Sequence, residues 1–246
     1  MKCILYDFRR AITGRWFLAA LMASVAALYM SIGSASHNLI DQMKYLKEYG
    51  DHFYRSVADL LTMGMQGDFG VMTLPALSAL PFAAQALQEI KSGAIRPAVF
   101  RVGRASWIAG KLLCTVFSGM LLQFTAAFAL VAVFHALMLC FAGQLFPMGA
   151  FASVWPLLMR RVLCGGIWAG VGCLVALLTE TASAAYLAPL CLCYAMVMIG
   201  TRFFPQVPLL NPAHWLDGAI WPLLLMLPVL MLTLGWMLRK KVNAYV

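Results

Sequence analysis

Six windows of 17 to 23 residues in this chain, 16–32, 69–87, 112–134, 162–179, 183–201 and 218–238, contain no Asp, Glu, Lys or Arg. Each approaches the ~20 residues a helix needs to cross the hydrocarbon core of a bilayer. The windows are apolar on every face, whereas barrel strands alternate over ~10 residues, so each predicts a transmembrane helix. Composition agrees: 63% of residues are hydrophobic, only 11% are charged, and the mean hydropathy is +0.85. Those values lie outside the range of soluble domains. The expected fold is therefore all-α and integral to a membrane, one transmembrane domain over 1–246 with six spans.

Lys2, Arg9, Arg10 and Arg15 precede the first window and the small trio Ser34, Ala35 and Ser36 follows it, a pattern that also fits a signal peptide. A cleaved leader would be missing from a chain beginning at Met1, so this window is expected to remain as a span. With the N-terminus inside, six spans place twelve Lys/Arg in cytoplasmic segments and six outside. This bias puts both termini in the cytoplasm of a bacterial-type cell membrane. The uncharged stretch 137–159 offers a seventh crossing that scores equally on charge. Gly143, Gln144, Pro147, Gly149 and Pro156 make it a poor continuous helix, and an external loop with a re-entrant or interfacial piece is the expectation.

In 2–13, Ile4, Leu5, Phe8, Ala11 and Ile12 share one helical face and Lys2, Arg9 and Arg10 lie elsewhere, the pattern of an interfacial helix. Between the first two spans, 33–68 shows Leu39, Met43, Leu46, Phe53, Val57 and Leu60 at helical spacing. It predicts an external amphipathic helix or helical pair covering the spans or a second protomer. Ala19, Ala23 and Ala27, and Gly166 with Gly170, form small-residue stripes that allow close helix approach, within one subunit or between two. Seven cysteines sit mostly inside spans, where small apolar packing is their expected role.

The uncharged windows offer no catalytic dyad and no ion-coupling carboxylate, so no catalytic residue and no metal ligand set is assigned. Arg160 and Arg161 fall just before the fourth window, on the external side. Residues 103–112 resemble a phosphate-binding loop only superficially, with six residues instead of four before Gly110 and Lys111, and Leu112 where a hydroxyl is needed. No cofactor is expected on the chain itself. The formal net charge of +9 is explained by anionic headgroups and the positive-inside bias, and nucleic acid is not expected as a partner.

One segment stands apart. Residues 88–111 carry five Lys/Arg against one Glu between two apolar windows. Phe82, Glu89, Ser92, Gly93, Arg104 and Lys111-Leu112-Leu113, running from the second window into the third, resemble the cytoplasmic segment of ABC-2 type permeases. The similarity extends to the basic N-terminal helix, six spans, a long first external loop, a broken external stretch at 202–217 and a basic C-terminus. Ala94 stands where the family often has Thr, and Pro97 is a further departure. The resemblance implies a cytoplasmic coupling helix between spans two and three, and a permease that pairs with a second protomer, identical or related. It also implies two separate ATPase subunits that carry ATP and Mg. In that frame Glu89, Gly93, Arg96, Val99, Phe100 and Arg101 form the ATPase-docking segment, with Val99 and Phe100 as apolar anchors. Arg9, Arg10, Arg104 and Lys111 hold the membrane interface. The cargo expected of an ATP-driven exporter without buried charge is amphipathic or hydrophobic: a peptide, an antimicrobial or a lipid. The alternative is a non-transport scaffold or immunity factor that sequesters a peptide at its outer face.

Overall fold

The computed structural model of the protein describes residues 2–33, 56–142 and 148–245, and every regular element among them is helical. Helix α1 (Lys2–Thr13) meets α2 (Arg15–Ser31) at Gly14, where the two are bent by 53°. Gly14 adopts an extended conformation there. Four further helices precede the long ones: α3 (Val57–Gln66), α4 (Asp68–Ala79), α5 (Gln85–Lys91) and α6 (Ile95–Val102). Then come α7 (Arg104–Ala142), α8 (Phe151–Thr179), α9 (Ala184–Phe203) and α10 (Trp221–Tyr245), with two short 3-10 turns, Pro208–Leu210 and Pro212–Trp215, before α10.

Among the described residues, α7 to α10 are each long and apolar enough to cross a bilayer, and the bent pair α1–α2 makes a fifth candidate. The 69–87 window is divided: α4 ends at Ala79 and α5 begins at Gln85. Pro81 explains the break, since it has no N–H to give to the carbonyl four residues back. The irregular stretch is packed in protein, with Phe82, Ala83 and Ala84 buried. The stretch 137–159 holds no helix of its own among the described residues. It completes α7, breaks at 148–150 and opens α8, while 143–147 lie outside the described residues.

Of the loop expected over 33–68, residues 34–55 lie outside the described residues. The remainder is not a free external helix. Ser56 and Asp59 cap α3 reciprocally, the Asp59 N–H donating to Ser56 Oγ (3.3 Å) and the Ser56 N–H to Asp59 Oδ2 (2.9 Å). Val57, Leu60, Leu61 and Met65 are then buried in one core with Leu28 of α2, Phe134 of α7 and Leu158 of α8. This part of the loop covers the chain's own bundle.

Helices α7 and α8 meet along a close seam. A Cβ added to Gly165 would lie 2.7 Å from the Gly119 carbonyl oxygen, so two bare backbones meet. Gly166 abuts Met120 and Gly170 abuts Leu230, which assigns that glycine pair to packing inside the subunit. The alanine stripe is only partly engaged within the subunit. Ala27 is buried and Ala19 is exposed, and the packed face of α2 runs through Phe17, Ala20, Ser24, Ala27 and Leu28. Within 208–217, Trp215 stacks on Trp168 of α8 at 5.7 Å and donates its indole N–H to the Leu209 carbonyl (2.8 Å).

Candidate functional site

At the end of the bundle where α7 begins, a lysine is enclosed. Trp107 and Lys111 are one turn apart on the inward face of α7, and Lys111 is only 1% exposed. Its Nζ lies 2.6 Å from Glu89 Oε1 of α5 and 2.9 Å from Asp7 Oδ2 of α1. The Phe82 and Trp107 rings stand 5.4 and 5.8 Å from the ammonium, within cation–π range. Glu89 also accepts from Trp107 Nε1 (3.3 Å) and Gln85 Nε2 (3.2 Å), and Arg10 approaches it at 3.8 Å. Two carboxylates and two cations thus balance, and the buried charge is both paired and hydrogen-bonded, as burial requires. Three elements distant in sequence are tied at one point.

Beyond this cluster the chain turns twice through glycine. Gly93, at φ +74°, separates α5 from α6, and Gly103, at φ +83° and ψ 150°, separates α6 from α7. The second conformation is essentially open to glycine alone. Helix α6 turns Ile95 and Val99 inward onto Ile90, Trp107 and Val242. Phe100, 83% exposed, points outward together with Arg96 and Arg101. Arg96 Nε donates to the Tyr245 carbonyl (3.1 Å) and Arg104 to Asn243 Oδ1 (3.4 Å), so α6 rests against the last turns of α10.

Two expectations about this region change. Lys111 does not face lipid headgroups; its ammonium is inside the Asp7–Glu89 cluster, where both carboxylates pair with it. Val99 is not an exposed anchor, since it fills the core beneath α6, and Phe100 alone of the pair is outward. Arg9, Arg10 and Arg104 are exposed. Asp7 was missed, although it is the single acid in a basic N-terminal helix and lies one turn from the buried Ala11.

A second enclosed cation is Arg161, expected at the margin of the fourth window on the external side. It lies inside α8 and is 1% exposed. Its Nε donates to Gln123 Oε1 (3.1 Å), and its two terminal nitrogens donate to the Met65 (3.0 Å) and Gly70 (3.2 Å) carbonyls. Met65 lies in the last turn of α3, which leaves its carbonyls without helical partners, and Gly70 in the first turn of α4, so the guanidinium bridges the break at Gly67. Gln123 passes the contact on, its Nε2 donating to Ser78 Oγ (2.9 Å). The signal in the sequence was Gln123, the one amide side chain of its uncharged window. Buried charge is therefore present in the bundle.

Glu180 terminates α8 in a left-handed conformation, φ 56°, and its carboxylate pairs with Lys241 of α10. The hydrogen bond and charge of Lys241 hold its carboxyl below the ordinary value of 4.5. Among the described residues, no group of three or more His, Cys, Asp or Glu is arranged to hold a metal ion. Comparison with protein-family models and with curated proteins finds nothing that matches this chain.

Proposed function

We propose that this protein is the transmembrane permease subunit of an ATP-driven exporter of the ABC-2 type, with α6 as its coupling helix. The observation that carries the reading is α6 itself: a short helix bracketed by two glycine turns, seated on the bundle by Ile95 and Val99, with Phe100, Arg96 and Arg101 facing outward. An exposed aromatic ringed by arginines is a common composition for the centre of a protein interface. In this reading α2, the broken pair α4–α5, and α7 to α10 make six crossings, and both termini and α6 lie in the cytoplasm of a bacterial-type cell membrane. Two ATPase subunits bind ATP and Mg and dock at α6, and a second permease protomer, identical or related, completes the path. Closure of the ATPase pair pushes α6, and the Glu89–Lys111–Asp7 cluster passes that displacement to α5, α7 and α1 as a rigid-body movement. The cargo in this reading is amphipathic or hydrophobic, such as a peptide, an antimicrobial or a lipid.

The chain is expected to copurify with an ATPase from its native membrane. Replacing Phe100 by Ala and Arg101 by Glu together is expected to weaken that association about tenfold or more, as loss of an interface hot spot does, and to abolish cargo-stimulated ATP turnover. Intact association and stimulation in the double variant would remove α6 from the docking role. Protection of cells from a toxic peptide that persists with the ATPase inactivated would instead establish a sequestering scaffold.

A further inference from the structure

A groove of about 940 Å³ runs between the first turns of α7 and the last turns of α10. The two helices are antiparallel here, so the start of one lies beside the end of the other. One end of the groove is basic, with Arg104 and Arg239, and the remainder is apolar, with Ile108, Leu112, Leu232 and Trp236. Leu232 is 75% and Trp236 63% exposed, so the groove opens outward from two of the helices long enough to cross a bilayer. Trp236 has the amphipathic ring that concentrates at membrane–water boundaries, and Lys240 stands 5.7 Å from its centre.

The charges at this end are uncompensated. No acidic residue lines the groove, and among the described residues no carboxylate pairs with Arg104, Arg239 or Lys240. Arg104 is oriented by a neutral amide, Asn243, which fixes the side chain without neutralising it. Elsewhere at this end of the bundle Lys111 and Lys241 have acidic partners. A planar guanidinium with free donors suits a phosphate, to which it can bond in a bidentate manner.

We propose that this groove binds an anionic phospholipid, with the headgroup phosphate between Arg104 and Arg239 and an acyl chain along Ile108, Leu112 and Leu232. The occupant follows from complementarity: a negative head and an apolar tail match a groove that is basic at one end and apolar along its length. The site goes beyond the exporter reading and does not depend on it.

The test uses the full chain in detergent, mixed with equal amounts of phosphatidylglycerol and phosphatidylcholine and examined by native mass spectrometry for retained lipid. Wild type is expected to retain phosphatidylglycerol preferentially. Arg104→Gln with Arg239→Gln should cut that preference by about fivefold for each arginine, the contribution of one basic side chain at an anionic surface, while Arg202→Gln, on exposed α9 sequence, leaves it unchanged. Gly235→Leu fills the groove, since a Cβ there meets Leu112 only at the ordinary contact distance of 3.4 Å. It should reduce retention of both lipids. An unchanged preference in the double arginine variant, or an equal fall in Arg202→Gln, would overturn the site in favour of diffuse surface charge. Unchanged lipid retention in Gly235→Leu with loss of self-association would make the groove a contact for a second copy of the chain.

Discussion

Lys111 and Arg161 are both enclosed cations, but their partners differ and so do the expected costs of removing them. Lys111→Met leaves buried Asp7 without its counter-charge and Glu89 with only the exposed Arg10 at 3.8 Å, and a buried pair broken on one side costs about 3–5 kcal/mol. The thermal midpoint of the detergent-solubilised protein should fall accordingly. Adding Asp7→Asn and Glu89→Gln should recover most of the loss, because no buried unpaired charge then remains and Arg10 is exposed to solvent. Arg161 has only neutral acceptors, three of them directed by a fixed planar fork. Arg161→Lys keeps the charge yet cannot span Gln123, Met65 and Gly70 together, so it is expected to destabilise nearly as much as Arg161→Met. A lysine variant with wild-type thermal stability would refute the bracing of the α3–α4 break by the guanidinium. Ser24 is a smaller case: its buried hydroxyl has no hydrogen-bond partner among the described residues. Ser24→Ala should raise stability by about 1 kcal/mol.

At the scale of elements, the turns and seams are the points of least tolerance. Gly103 holds a backbone conformation that an L side chain adopts only under strain, so Gly103→Ala should cost about 1–3 kcal/mol and shift α6 on its seat. The cost would be read as a lower melting temperature together with faster proteolysis at Arg101. Gly165→Leu drives a side chain into the Gly119 backbone. It should separate α7 from α8, with a loss of at least the ~1–3 kcal/mol of an overpacked core. The Glu180–Lys241 pair joins the end of α8 to α10 and has a definite pH signature. Because the folded carboxyl is held below 4.5, its stabilisation is fully present above that value and is lost as pH falls through the folded pKa. The stability difference between wild type and Lys241→Ala should therefore be constant near neutrality and shrink below pH 4.5. A difference that persists undiminished in acid would show that Lys241 acts by packing alone.

For the molecule as a whole, the legible part of the fold was its material and the hidden part was its enclosure. Uncharged windows near 20 residues dictate helices because a backbone in hydrocarbon must satisfy its own hydrogen bonds, and α7 to α10 lie where those windows fell. The basic segment 88–111 was legible as an interruption, whereas the turn at Gly103 was not read from the sequence and shows only in its backbone conformation. What could not be read was which cations would be taken inside. Lys111 reaches Glu89 across 22 residues, and Arg161 reaches Met65 and Gly70 across 96 and 91. Spacing along a helix reports only neighbours three or four residues away, so neither partnership leaves a local trace, and both residues look like interfacial charges at the margin of an apolar run. The same limit applies to the small-residue stripes. Sequence shows that glycines at 166 and 170 permit close approach, but only the tertiary structure decides that α7 and α10 supply the approaching helices. The sequence alone determined a helical chain whose apolar segments are suited to a bilayer, because that follows from local hydration and hydrogen bonding. The tertiary structure decided which charges are buried, which faces remain open and where α6 is seated, because those depend on long-range packing that brings distant residues into one low-dielectric space.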